Sequence, residues 1–448
     1  MKIALCHFRV GETDGVSLEM DKWKKALELS GHEVIYIAGS AGNCEAQIIP
    51  SLHYQHPINN KIVENAYCEL NDYASEKELE KEVYDLAGLI ETELINIINN
   101  YQIDLIVPNN ILSLGWGLSA GIAFTRAIEK TEVNAICHHH DFHWERELYS
   151  HPKVGFVKDL LKTYFPPVHK RIAHVCINQI AKDELKKRYD VDAKVVPNVF
   201  EFEQELIVRD DYNKNLRAEL GLEPADIVFL QATRIVERKA IELAIDLLAE
   251  LMEKEDELKN RKLYKGFSYV RNSKMVLVLA GKNESPEYYR RLQNYADAKG
   301  VNLLDMSDVV SHERKGESGK KIYSLWDAYS IADIVTYPSI LEGWGNQFLE
   351  AIVARLPVAT YKYPVFLTDI EPFHFNVISL GSEHVEENDL VKVKREILQE
   401  AAKECLSYLL DDEYRRKHVE QNYSLASKHL SVKSLKDRLR AIFGNGKN

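Results

Sequence analysis

At 448 residues the chain exceeds the size at which one hydrophobic core usually keeps growing, so two domains are expected. Its 45% apolar and 28% charged residues are those of an ordinary globular protein, and no apolar run is long enough to span a bilayer. A formal net charge of −12 argues against a general nucleic-acid surface, which needs clustered Lys and Arg to neutralise phosphates.

The opening segment MKIALCHFRV reads as a first strand rather than as the apolar region of a signal peptide, which predicts a cytoplasmic protein. Six scattered cysteines, Cys6, Cys44, Cys68, Cys137, Cys176 and Cys405, lack paired spacing and read as reduced core thiols. From the N-terminus the pattern predicts a strand over 3–8, a polar loop over 9–17, a helix over 18–30 stopped by Gly31, and a strand over 34–38. That is a βαβ opening, and the same grammar restarts with a strand over 227–232, a helix over 241–252 and a strand over 275–280.

Between these two openings, VVPN at 195–198 ends a strand with a proline, and a polar stretch follows. The predicted division is therefore an N-terminal domain over 1–197 and a second over 198–424. The segment 253–273 reads as a surface insertion, and helical spacing returns over 398–410 and 432–443.

The richest stretch is 332–361: strand, loop, helix from Asn346, and a strand after Pro357. Such loops lie where open α/β sheets bind ligands, and the helix N-terminus offers N–H groups and partial positive charge suited to a diphosphate. Gly343 and Gly345 allow close backbone approach. Glu342 and Glu350 flank the helix start, and carboxylates accept hydrogen bonds from vicinal hydroxyls, so one suits a sugar and the other a ribose. A solvated helix face with a turn glycine pair is the plain alternative.

EGWGNQFLE, Glu342 to Glu350, resembles the E-x7-E motif of family 4 retaining glycosyltransferases. The loop ATRIVERKAIELAI resembles that family's donor-diphosphate loop, which maps its Arg and Lys to Arg234 and Lys239. Cations at a helix start are electrostatically disfavoured, so this pair asks for an anion. VGETDGVSLEM resembles the family's first glycine-bearing loop, with Gly15 facing the donor, although an ordinary turn glycine explains it as well. AICHHHDFHWERE places His138, His139, His140, Asp141 and His143 at the polar end of a strand. Adjacent strand residues face opposite ways, so three consecutive His do not ligate one metal from a regular strand. His140 best matches the family His that contacts the donor sugar, and Asp141 and His143 fall on the acceptor side. Asn198 matches the family's Pro-Asn element, or is a strand-end turn. Trp344 stands where the family often has Phe, Asn346 and Gln347 replace more apolar residues, and YKYPVFLTDIEPF replaces a Gly-rich segment.

The resemblance implies an α/β protein of GT-B fold, two Rossmann-like domains facing each other across a cleft, with a C-terminal helix over about 425–448 packing back on the first. It implies a metal-independent retaining hexosyltransferase moving sugar from a nucleotide diphosphate donor to a hydroxyl acceptor, with no cofactor, nucleic acid or integral membrane segment. His140, Arg234, Lys239 and Glu342 would be catalytic; Gly15, Gly343, Trp344, Gly345, Asn346 and Glu350 would complete the donor site. A sugar phosphorylase, a nucleotide-sugar epimerase and a non-catalytic nucleotide-sugar-binding subunit reuse the same architecture.

Overall fold

The computed structural model describes residues 1–12, 14–203, 206–311, 313–317 and 320–443, with the backbone alone for 315–317 and 320. The chain divides into two compact units, Met1–Val199 with Val432–Asn448, and Phe200–Ser431. The helix expected over about 425–448 is instead broken: one helix ends at His429 and the next spans Val432–Phe443, so the division falls at the break, while 444–448 lie outside the described residues.

The first unit is built on seven parallel strands: β1 (Lys2–Val10), β2 (Glu33–Ala41), β3 (Gln47–Ile48), β4 (Leu105–Pro108), β5 (Asn134–His139), β6 (Ile172–Cys176) and β7 (Ala193–Val195). Their order is β3-β2-β1-β4-β5-β6-β7. A parallel sheet covered on both faces needs strands apolar on both faces, and β1 supplies them. Ile3 and Leu5 join Val107 and Ile136 in one core with Met20, Trp23 and Leu27 of the helix Gly15–Glu28. Ala4, Cys6 and Phe8 face the opposite core, filled by the helices Glu76–Tyr101 and Leu118–Thr131. The helix Val432–Phe443 belongs here because Val432, Leu435 and Leu439, on one helical stripe, are buried in the Trp23 core.

The second unit carries six parallel strands, with β10 (Asn302–Asp305), β9 (Met275–Leu279) and β8 (Ile227–Gln231) followed in space by Ile334–Tyr337, Val358–Thr360 and Ile378–Ser379. The helix Glu242–Met252 buries Leu243, Ala244, Ile245, Leu247, Leu248 and Leu251 completely, which explains its largely apolar sequence. The segment 253–273 departs from the expected surface insertion. Leu258, Leu263 and Tyr269 are buried, and Tyr264 and Lys265 bond the buried Asp333 carboxylate at 2.7 and 2.9 Å. Asp333 also accepts from the Val228 N–H at 2.8 Å, so the insertion is tied to the root of β8.

In each sheet the strand order reverses beside the first strand: at β1 and β4 in the first unit, at β8 and Ile334–Tyr337 in the second. Crevices beyond the carboxyl ends of strands at such switch points are where open α/β sheets hold ligands. The loops 232–241 and 338–345 both leave the second switch point.

Candidate active site

After β8 the chain makes a single tight turn over Glu237–Lys239, closed by Ala240 in the left-handed region at φ 45°. Gly281 lets the neighbouring loop pass, since a Cβ there would lie 1.8 Å from the Thr233 carbonyl oxygen. The turn aims two cations at Glu342. Lys239 Nζ donates to Glu342 Oε1, and Arg238 donates to Glu342 Oε2 at 3.1 Å and to the Leu341 carbonyl at 2.9 Å. The side chains of Lys239 and Glu342 are only 4% and 11% exposed. Burial alone would raise the Glu342 pKa, but the Lys239 and Arg238 charges hold it below the ordinary carboxylate value. Burial disfavours the Lys239 ammonium and lowers its pKa, against the opposing pull of Glu342.

Arg234, the expected partner of Lys239, lies differently. It is half-exposed and pairs with Glu284 at 2.8 Å. The structure thus brings Lys239 and Arg238 onto Glu342, with Arg234 at the rim, where its charge still reaches Lys239. Arg238 was missed in the sequence because two adjacent basic residues look equivalent until the turn shows that both point one way.

The helix Asn346–Val353 opens without a side-chain cap, and its N-terminal end carries the partial positive charge that attracts anions. Gly343 is exposed and Trp344 buried ahead of it. Gly345 has φ 126°, and a Cβ there would lie 2.2 Å from the Tyr363 hydroxyl. Its expected purpose, close approach to a ligand, is therefore joined by a structural one, close approach of Tyr363, whose hydroxyl donates to the Trp344 carbonyl. Glu350 accepts from the buried Tyr329 hydroxyl at 2.9 Å, which aims its carboxylate.

In the first unit His138, His139 and His140 are all buried rather than set at a polar strand end. His138 stacks on Trp23 with ring centroids 4.2 Å apart, and its Nδ1 donates to Asn109 Oδ1 at 2.9 Å. His139 turns the other way and bonds His174 at 2.9 Å. Among the described residues no group of three or more His, Cys, Asp or Glu is arranged to hold a metal ion. The His140 backbone N–H donates to Asn110 Oδ1 at 2.7 Å, and Asn110 itself sits in the left-handed region at φ 57°. Burial lowers His140 to about 3 and His143 to about 4, so both are neutral at physiological pH. As neutral imidazoles they can each offer a hydrogen bond there. Asp141 pairs with Arg146 at 2.7 Å, and both ring nitrogens of His143 are buried without a hydrogen-bond partner.

Gly15 opens the helix Gly15–Glu28, capped by Asp14, whose carboxylate accepts from the N–H groups of Val16 and Ser17. A Cβ at Gly15 would meet nothing within 4 Å, so packing does not demand glycine there. Asn198 is buried. Asn109 and Asn110, which no sequence motif singled out, clamp the end of β5: the Asn110 N–H donates to the His138 carbonyl at 3.0 Å. The pair PNN after an apolar strand was the available signal, since Asn tolerates the left-handed turn.

The model of the family described as glycosyl transferases group 1 matches residues 213–423. The chain is 42% identical over 441 residues to the mannosylglucosylglycerate synthase of Thermotoga maritima, covering 98% of this chain and 99% of that one. It is 41% identical over 410 residues to the mannosylglucosylglycerate synthase of Petrotoga mobilis, covering 89% and 93%. A crystal structure of a glycosyltransferase from Rickettsia africae superposes with a TM-score of 0.61 at 14% identity, covering 98% and 97% of the two chains. The chain belongs to the group 1 glycosyltransferases: it has the GT-B fold and is an enzyme of glycosyl transfer from a nucleotide sugar. No described helix is long and apolar enough to cross a membrane.

Proposed function

We propose that this group 1 glycosyltransferase moves a mannosyl group from a nucleoside diphosphate mannose to a hydroxyl of glucosylglycerate, with retention of anomeric configuration and without a metal ion. The observation that carries the donor assignment is the Lys239–Glu342–Arg238 cluster at the second unit's switch point, beside the N-terminal end of the helix Asn346–Val353. The sugar and acceptor follow the two bacterial relatives, both mannosylglucosylglycerate synthases.

In this reading Lys239, Arg234 and the N–H groups at Asn346 take the charge of the departing diphosphate. Preorganised electrostatics of this kind is usually the largest catalytic contribution. Glu342 accepts from donor-sugar hydroxyls and Glu350 from the ribose, while Gly343, Trp344 and Gly345 shape the loop between them. As the bond from the anomeric carbon to the phosphate oxygen breaks, the acceptor oxygen attacks the same face and its proton passes to the leaving phosphate oxygen. No enzymic nucleophile forms a bond. The basic groups supply the charge that a divalent cation would otherwise supply. In the first unit His140, Asp141 and His143 offer hydrogen bonds to sugar hydroxyls, and the open space at Gly15 leaves its backbone accessible.

The test is incubation with glucosylglycerate and GDP-, UDP- or ADP-mannose, with and without EDTA, reading product mass and the anomeric coupling by NMR. One donor should give a product of retained configuration in EDTA. An inverted product, or activity lost in EDTA and restored by Mg²⁺, would overturn the corresponding part. Phosphate-dependent cleavage, or an altered donor without acceptor, would instead indicate a phosphorylase or an epimerase.

A further inference from the structure

Each oxygen of the Glu342 carboxylate is held by a different cation, and the two cations differ in what else they hold. Lys239 Nζ bonds Oε1 from a flexible stem. The Arg238 guanidinium bonds Oε2 at 3.1 Å and, with the same nitrogen, the backbone carbonyl of the preceding Leu341 at 2.9 Å. The Arg238 carbonyl in turn accepts the Ile340 N–H at 3.1 Å, so this residue is stitched to the 338–345 loop by both its backbone and its side chain. A planar guanidinium fixed by two acceptors is a geometric clamp, whereas an ammonium is a point charge that exchanges partners readily.

We infer that Arg238 is the positioning residue of the donor site: it keeps Glu342 anchored and ionised by Oε2 while Lys239 gives up Oε1 for the donor diphosphate. The inference rests on the donor-site reading above. Lys239 is almost fully buried and never has to be left without an anion, because one carboxylate oxygen is traded for a phosphate oxygen. The Glu342 side chain is only 11% exposed as well, and without Arg238 the same trade would leave its carboxylate with no cation hydrogen-bonded to it. Arg238 thus allows one lysine to serve the leaving group while the carboxylate beside it serves the sugar.

The test compares Arg238→Met, Arg238→Lys and Lys239→Ala in the full chain, measuring kcat, donor KM, calorimetric Kd for the nucleoside diphosphate of the active donor, and the pH dependence of kcat. Arg238→Met should lower kcat by about 10- to 100-fold, the worth of one charge-assisted hydrogen bond, and leave the diphosphate Kd within about 3-fold. Its acid limb should move to higher pH, because the Arg238 charge helps to keep Glu342 ionised. Arg238→Lys should recover part of kcat and return the acid limb toward the wild type. Lys239→Ala should weaken the diphosphate by at least about 10-fold. If Arg238→Met weakens the diphosphate as much as Lys239→Ala and spares kcat, or if its acid limb stays in place, Arg238 is a donor ligand or a bystander and the inference falls. A wild-type enzyme that binds no nucleoside diphosphate would be a failure of the donor-site reading, and is distinguished from these outcomes before any variant is made.

Discussion

Glu342→Gln gives the sharpest test of the site because it keeps the shape of the side chain and removes only its charge. In the structure the Lys239 side chain is 4% exposed, and the Glu342 charge offsets the penalty that burial places on its ammonium. Breaking a buried ion pair by removing one partner costs about 3–5 kcal/mol, and the glutamine oxygen still accepts one hydrogen bond, so we take about 2 kcal/mol. In a domain of this size 1 kcal/mol moves the melting midpoint by about 2–4 °C, so the nucleotide-free variant should melt about 4–8 °C early. A bound diphosphate returns the missing negative charge. The same 2 kcal/mol then appears as a diphosphate Kd about 30-fold tighter than that of the wild type, since 1.4 kcal/mol is tenfold. Transfer should nevertheless fall steeply, because in the proposed reading the sugar loses its carboxylate acceptor. Differential scanning fluorimetry across a nucleotide titration, with calorimetry at one temperature, reads both quantities. A variant that melts with the wild type and binds the diphosphate no more tightly would show that Lys239 does not depend on Glu342, and the reasoning would fail.

Gly345→Ala should distort the 343–345 loop and abolish most activity, since the new Cβ meets the Tyr363 hydroxyl at 2.2 Å and φ stays at 126°. Adding Tyr363→Phe should restore part of the lost stability but not all, because a left-handed backbone still costs alanine about 1–3 kcal/mol; thermal midpoints of the single and double variants check this. Arg234→Ala should leave stability within about 1 kcal/mol, as its pair with Glu284 is half-exposed, yet weaken nucleoside diphosphate binding measurably by calorimetry. Acid should loosen the first unit early: His7 and His174 are buried and lowered to about 4, chiefly by burial. Their depressed values stabilise the fold above the unfolded value of about 6.5, and this contribution is lost as pH falls from there toward 4, about 2 kcal/mol for each at pH 5. Hydrogen exchange of peptides over 2–10 and 134–139 should therefore speed up between pH 7 and pH 5 beyond its intrinsic pH dependence, and unchanged protection would contradict the assignment.

Much of the frame was legible because its signals are local. The apolar run Ile3–Cys6 marks a strand buried on both faces, Pro357 and Gly31 mark helix ends, and the Glu342–Glu350 stretch carries its own strand, loop and helix. What was not legible depends on partners distant in sequence. Nothing near Tyr264 or Lys265 says that Asp333 awaits them, so a segment full of charges read as surface. His138 and His139 looked polar because histidine usually is; Trp23 stacks on His138 and Asn109 takes its Nδ1, while His174 bonds His139, so both rings sit in the interior. Arg234 and Arg238 differ in the sequence only by place, and the tight turn over Glu237–Lys239 decides which of them reaches Glu342.

The segment YKYPVFLTDIEPF shows how the departure from the family's Gly-rich pattern is accommodated. Tyr363 is fully buried, packs edge-on against Tyr337 at 6.0 Å, and bonds the Trp344 carbonyl from behind the loop. A glycine there would lack the hydroxyl that bonds the Trp344 carbonyl, whereas the tyrosine fixes the turn and in exchange requires glycine at 345. The lysine that meets Glu342 also lies over the Tyr337 ring, 5.9 Å from its centroid, so the aromatic pair supports the loop and the ion pair together. Placement of the carboxylate within a fraction of an ångström matters to catalysis more than its mere presence. In this chain that placement comes from two sides: the Arg238–Leu341 bond fixes the start of the loop, and Tyr363 fixes its end.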